Sequence, residues 1–451
     1  STLNHILTFL PAAQRKISWE ALYYSYHFRI TPSDHTLVAS INKVPAGHSL
    51  HCSNGKLRIK KYFDISALYT PANFLNASES ELTEALNQAI AKAVKDHASC
   101  NRRIGLALSG GVDSGLIAVH LAKQNIPFKS YTFLYDGHYD ELQRIERYSK
   151  HIKLDLTKIV LDTPTILKCF LEANATGSEP VSFNASLLQK MTACCQQDGV
   201  QTFFDGDGAD RLFFGMNAHL RYVKMQMLYK FISEIRLNKF AGMLLQRSQI
   251  GQVQQLGNLF ANWSIGIKPY PERHYDRDKP YDAAYENAIF KKYISRYWKH
   301  FQENFQSEDI RLYFAYQSIH MCPELFFYPA HEQFSRGGIE NFSPFWNDEI
   351  VNLSLSMPQS WKTKQWKTKY ILRKTGAQHF DPQYWTMPKI GLQNSFNYLI
   401  SDKTGKEWYN TTCAAIKKTD EFIWLKEKGV EPKAERLLSF FQWRSGKGLV
   451  F

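Results

Sequence analysis

An apolar run over 104–108 stops at Ser109-Gly110-Gly111-Val112-Asp113-Ser114, and a helix-spaced apolar stretch follows. These types at this spacing suit one chemistry. Glycines let backbone N–H groups approach a ligand closely, and the first turn of a helix leaves unpaired donors at its positive end. The product is an anion cradle suited to phosphate. Asp113 stands at the helix entrance, where a carboxylate can hold Mg²⁺ on that phosphate. The same residues could serve as a plain strand–turn–helix joint, but the full six-residue string directly after a strand favours the cradle. A second segment, Asp205-Gly206-Asp207-Gly208-Ala209-Asp210, again follows a strand-like run and is acidic and glycine-punctuated.

The elements that must position these loops are legible around them. Strand patterns at 104–108, 128–135, 156–161 and 200–204 alternate with helical patterns at 116–123, 141–151, 164–174 and 191–197. Short connections between them predict a parallel α/β sheet. Ser78 and Glu81 form a capping-box pair that opens a helix through 97. Upstream, 34–57 is β-rich, and Asn54-Gly55 predicts a hairpin turn. Beyond 217 the strand signals fade. Residues 217–330 read as helical and aromatic, with a Pro/Gly/Asp-rich break at 266–282, and 340–451 as helical with irregular connections.

The string at 109–114 is the signature of the PP-loop ATP pyrophosphatases, and the Walker string GxxxxGK[ST] is absent. Residues 203–216 (FFDGDGADRLFFGM) resemble the S-G-E-G-x-D-E-[LV]-F-G-G segment of asparagine synthetases and the T-G-Y-G-x-D segment of β-lactam synthetases. SPFWND, KTKYILRK and MPKIG further on resemble the C-terminal run of the same superfamily. The chain is similar to the asparagine synthetase/β-lactam synthetase superfamily, closer to the β-lactam synthetase and lasso-peptide cyclase branch. The resemblance implies an α/β fold: a doubly wound parallel sheet of the PP-loop, adenine nucleotide alpha hydrolase-like kind with a helical C-terminal part. It implies ATP bound along Leu108, Ser109, Gly110, Gly111, Asp113, Ser114, Phe133 and Gly206, and Mg²⁺ on Asp113 and Asp210. For catalysis it points to Lys389 and Lys369 near the phosphates, and to Asp207 with a further carboxylate, Glu332 or Glu324, at the amine.

The chain also departs from asparagine synthetases. Those begin with a catalytic N-terminal Cys; here the first Cys is Cys52 and residue 1 is Ser. Residues 30–65 nevertheless resemble the end of the glutaminase-type (Ntn) domain. The expected organisation is a truncated or degenerate glutaminase-like segment at 1–66 and a synthetase domain at 78–451, with a helical specificity insertion at 216–330. In E-x-R-x-P-F-L-D the Arg becomes Phe342, which removes a bidentate partner for a small anionic substrate. Trp346 fits the β-lactam branch better.

The expected activity is an ATP-dependent ligase. It adenylates a carboxylate and lets an amine displace AMP, with lactam or macrolactam closure favoured. The alternatives are an asparagine synthetase-like enzyme using ammonia or a separate glutaminase, and a tRNA-modifying PP-loop enzyme. Expected partners are a carboxylate-bearing small acid or peptide, an amine, and a separate glutaminase-like or substrate-delivering protein. The net charge of +13 attracts phosphates of any source, but the DGDGAD and MPKIG segments point away from nucleic acid. Basic residues crowd 221–247, where a solvated helix face is the plainer reading. Seven dispersed Cys without a C-x-x-C pair suggest reduced thiols and a cytoplasm-like compartment. No apolar run reaches the roughly 18 residues of a membrane span.

Overall fold

The computed structural model describes the chain apart from residues 1–2, 29, 33, 99–101, 136–139, 149–150, 217–219, 221–222, 225, 228–291, 293–294, 323–327, 381–394, 429, 431, 448 and 450–451. The elements needed below are β1 (His48–Ser53), β2 (Lys56–Lys61), β3 (Ile104–Ala107), β4 (Phe128–Tyr135), β5 (Asp155–Leu161), β6 (Thr202–Phe204) and β7 (Glu340–Phe342). The helices are α1 (Trp19–Phe28), α2 (Glu79–His97), α3 (Val112–Lys123), α4 (Thr163–Thr176), α5 (Ile310–Cys322), α6 (Tyr328–Arg336), α7 (Asp348–Ser356), α8 (Tyr370–Ala377) and α9 (Ala434–Ser445).

The central sheet is parallel throughout, in the order β5-β4-β3-β6-β7. The chain winds outward from β3 through β4 to β5, then returns to the other side of β3 for β6 and β7. Strand order therefore reverses between β3 and β6. In open α/β sheets the crevice at the carboxyl ends of the strands at such a switch point is where ligands bind. The loops that follow β3 and β6 are the two picked out by their residue types.

Both sheet faces are covered, as a parallel sheet requires. Ile104, Leu106 and Phe204 face a core built with Leu86, Ile90, Leu116, Ile350 and Ile371. Tyr131, Ile159 and Phe203 face a second core with Phe170, Phe334, Leu437 and Trp443. Gly105 is needed on that second face, because a Cβ there would come within 2.8 Å of the Phe203 ring and 3.2 Å of Tyr131. The doubly wound expectation holds. Helix α2 starts at the expected capping box. The Glu81 N–H donates to Ser78 Oγ at 3.2 Å, and the Ser78 N–H donates to Glu81 Oε2 at 2.7 Å.

Two local readings change. The strand β7 was hidden in text read as helical: three residues between Gly337-Gly338 and Ser343-Pro344 are too short for a period-two signal. The stretch at 35–41 forms isolated bridges, Ile17–Val38 and His35–Asn42, in place of a strand. Apolar residues from both sides of the boundary expected at 66 share one core. Leu3, Leu7, Ala21, Leu22 and Val38 lie in the same core as Phe170 and Trp443. The hairpin was legible: Asn54 (φ 50°) and Gly55 (φ 72°) both turn in the left-handed region that a two-residue loop demands.

Candidate active site

At the end of β3, the Leu108 N–H still donates to the Tyr131 carbonyl at 2.9 Å, and the turn begins after it. Gly110 adopts φ +68°, which glycine takes without strain. Gly111 is the N-cap of α3 and has no side chain to cap the first turn. The Ser109 N–H donates to Ser114 Oγ at 3.2 Å, which draws the loop across the helix start. Phe133 lies on β4 in register with Ile159, half-buried beside the second core.

The loop after β6 comes directly against this turn. A Cβ on Gly206 would lie 2.9 Å from Asp113 Cβ and 3.3 Å from the Ser114 nitrogen. Gly208 takes φ +90°, and a Cβ there would meet the Trp346 ring at 2.9 Å. Gly215 closes the segment against Asp210 and Lys369, where a Cβ would collide with both side chains. Glycines at 206, 208 and 215 are thus required by close approach.

The two loops converge on one cation. Lys369 Nζ lies 2.5 Å from Asp113 Oδ2 and 2.6 Å from Asp210 Oδ1, and its side chain is only 3% exposed. Burial works against its charge, but Asp113 and Asp210 together hold its pKa above the ordinary lysine value. Lys369 is the N-cap of α8 and takes φ 53°, a conformation that a side chain adopts at a cost. Arg373, one turn further along α8, was not singled out by sequence. Burial draws it below the usual guanidinium range while the charges on Asp113 and Asp210 oppose that shift. The signal was available: positions i and i+4 of a helix share a face.

Asp207, on the same loop as Asp210, sits in a fixed frame. Trp346 Nε1 donates to Asp207 Oδ2 at 3.0 Å. Burial pushes the Asp207 carboxyl up to about 6, the charge on Asp205 adds to this, and the Trp346 hydrogen bond pulls the other way. Asp205, named in the acidic loop but assigned no role there, links strand ends. Its Oδ1 accepts from the Asp207 N–H at 3.0 Å and from Ser343 Oγ, and its Oδ2 accepts from Asn341 Nδ2 at 3.1 Å. Both quoted family segments carry a hydroxyl residue at this position, so a carboxylate here is a feature of this chain.

The structure does not bring Glu332 to this group, which corrects the expectation for it. Its carboxylate on α6 accepts from the Ser178 N–H at 3.0 Å and from Ser178 Oγ at 2.6 Å, and pairs with Arg336 at 2.7 Å. Arg336 in turn donates to Thr176 Oγ1 at 2.7 Å, while Lys447 Nζ donates to the Ala175 carbonyl at 3.0 Å. Glu332 is thus the counter-charge in a cluster of cations gathered at the C-terminal end of α4, where helix carbonyls lack partners. Lys389, Glu324 and most of the basic stretch at 221–247 lie outside the described residues.

Two carboxylates from separate loops meeting at one cation suit a hard divalent ion. Among the described residues no group of three or more His, Cys, Asp or Glu could hold a metal. The pair alone suits Mg²⁺, which keeps several waters and takes phosphate oxygens alongside one or two carboxylates. The Asparagine synthase family model matches residues 85–444. The chain belongs to the asparagine synthase family. The loops after β3 and β6, the strand β7 and the helix α8 lie within the matched region.

Among curated relatives of this family member, asparagine synthetase [glutamine-hydrolyzing] 1 of Bacillus subtilis is 22% identical over 427 residues, covering 90% of this chain and 64% of the relative. Amidase chry2 of Gibberella zeae is 24% identical over 201 residues, covering 41% of this chain and 30% of the relative. The chain thus spans less than two thirds of the length of either. Among solved structures, the NMN synthetase from Francisella tularensis aligns with a TM-score of 0.23 at 16% identity, covering 31% of this chain and 59% of that one. Among the described residues, no helix is long and apolar enough to cross a membrane.

Proposed function

We propose that this protein is an ATP-dependent carbon–nitrogen ligase that activates a substrate carboxylate as its adenylate and joins it to an amine. The observation that carries this reading is the meeting of Asp113 and Asp210, from the loops after β3 and β6, around Lys369 at the switch point. Glycine-walled N–H groups at the start of α3 orient the phosphates. Mg²⁺ held by Asp113 and Asp210 would offset charge on the pyrophosphate leaving group. Lys369 and Arg373 supply further fixed positive charge where negative charge develops. Lys389 is proposed, on the family resemblance alone, to steady the amide-forming step.

Asp207 is the proposed base for the attacking amine. Its raised pKa leaves a carboxylate near neutral pH that is basic enough to take a proton. Trp346 fixes its rotamer. An acid other than aspartate fits best, because the position of the family's arginine is spent on packing. Phe342 stacks on His97 and packs edge-on against Phe204. Closure of a lactam or macrolactam within one substrate is the form we favour. The Bacillus subtilis relative favours a second reading, asparagine synthesis with ammonia or a separate glutaminase.

Substrate-dependent ATP–pyrophosphate exchange, screened across small acids, peptides and tRNA, tests the proposal. Exchange with a non-aspartate acid or a peptide, abolished in Asp113→Asn, is expected. Exchange with aspartate alone would support the second reading, and exchange only with tRNA would sink both.

A further inference from the structure

The hairpin β1–β2 stands off from both cores. Every residue of β2 is exposed, and so are the last four of β1. Its register sets Leu50 opposite Ile59 and Cys52 opposite Leu57, so these four share one face. The same register places His51, Lys56, Arg58 and Lys60 on the other face. Leu57 is 70% exposed, Ile59 56% and Leu50 46%. Residues 48–61 include no Asp or Glu. Among the described residues, no backbone hydrogen bond leaves either outer edge of 49–60 for another element.

The root, by contrast, is fixed. Gly47, at φ +73°, offers its carbonyl to the Tyr62 N–H at 2.8 Å and the Phe63 N–H at 3.1 Å. Asp64 ties Lys61 to the body through Ser66 and His300. A ribbon rigid at its base, bare on an apolar face and, among the described residues, unpaired at both edges invites a further strand. Two strands alone are marginal in water, and a third with a matching apolar face is what completes such a sheet.

Charge selects the occupant. A second copy adding through the β2 edge would set Lys56, Arg58 and Lys60 against the same residues, and like charges across a strand pair repel. Nucleic acid would satisfy the basic face and leave Leu50, Leu57 and Ile59 bare. We propose that the β1–β2 ribbon is a docking site for an acidic polypeptide segment that alternates acidic and apolar residues and adds as a strand. This is independent of the ligase reading, since no residue of the phosphate-side group belongs to the ribbon.

The test uses the full chain and a fluorescent decapeptide of alternating Glu and Val, followed by anisotropy. A poly-U RNA decamer and sedimentation of the protein alone form the other arms. Leu57→Ser/Ile59→Ser and Lys56→Glu/Arg58→Glu change exposed side chains, so both should fold, and circular dichroism checks this. The acidic peptide is expected to bind, to weaken with salt, and to lose at least about tenfold in affinity in each double variant. Absence of peptide binding, or binding indifferent to either double variant, overturns the proposal. RNA bound more tightly than the peptide and lost only with the charge reversal would assign the ribbon to nucleic acid. A dimer abolished by Leu57→Ser/Ile59→Ser would assign it to a second copy.

Discussion

Replacing Lys369 by Met tests how the two loops are held. The ammonium sits 2.5 Å from one carboxylate oxygen and 2.6 Å from another, on a side chain 3% exposed. Methionine keeps most of the length and removes the ammonium, leaving Asp113 and Asp210 to face each other with the charge of Arg373 nearby. At an effective dielectric near 20, unit charges about 4 Å apart interact by about 4 kcal/mol. Removing one partner of a buried pair costs about 3–5 kcal/mol. Asp113 and Asp210 keep 19% and 33% of their side-chain exposure, so water screens part of this. The lower end, about 3 kcal/mol, is the expected loss. Urea unfolding at neutral pH, with and without Mg²⁺, measures it. The variant should regain part of the loss when Mg²⁺ is added, because a divalent ion bound only to the folded state replaces the missing charge. A loss below about 0.5 kcal/mol, the level of an ordinary surface change, or a loss indifferent to Mg²⁺, would refute the convergence.

Other consequences follow from the same geometry. Asp207→Asn should leave pyrophosphate exchange intact while amide formation falls about 10²–10⁴-fold; full amide formation in this variant would remove Asp207 as the base. In the unmodified enzyme that step should quicken as pH rises through about 6 and become pH-independent there in the variant. The matching stability effect has a definite sign. A folded pKa above the unfolded value means the folded state binds the extra proton, so the contribution of Asp207 to stability falls as pH rises from about 4 to 6, and Asp207→Asn abolishes that slope. Gly215→Ala drives a methyl group into Asp210 and Lys369 and should abolish exchange, with a stability loss of about 1–3 kcal/mol in denaturant titration. Glu332→Gln should lower stability by about 1–3 kcal/mol while exchange per folded molecule is unchanged, because Glu332 serves Ser178 and Arg336.

What the sequence disclosed was local. The turn at 109–114 and the acidic loop at 205–210 announce themselves because glycine spacing and carboxylates are readable along a single segment, and so are the Ser78–Glu81 cap and the Asn54-Gly55 turn. What it concealed depends on partners far apart in the chain. Glu332 looks like a spare carboxylate until Ser178, 154 residues away, is seen to hold it. Asp205 looks like a turn residue until Asn341 and Ser343 close on it from β7, a strand too short to carry a pattern of its own. The N-terminal residues are set apart by the resemblance of 30–65 to a glutaminase-type domain, and a resemblance says nothing of packing; their apolar side chains Leu3, Leu7 and Leu22 share a core with Phe170 and Trp443.

The central claim is adenylation of a carboxylate, and isotope transfer addresses it most directly. The acid identified by pyrophosphate exchange would be labelled with ¹⁸O in its carboxyl group and turned over with Mg-ATP and its amine. Recovery of one ¹⁸O in the phosphoryl group of AMP, lost in Asp113→Asn, is the result expected here. Label appearing in inorganic phosphate with ADP as co-product, or an amide formed with no label transferred, would contradict it.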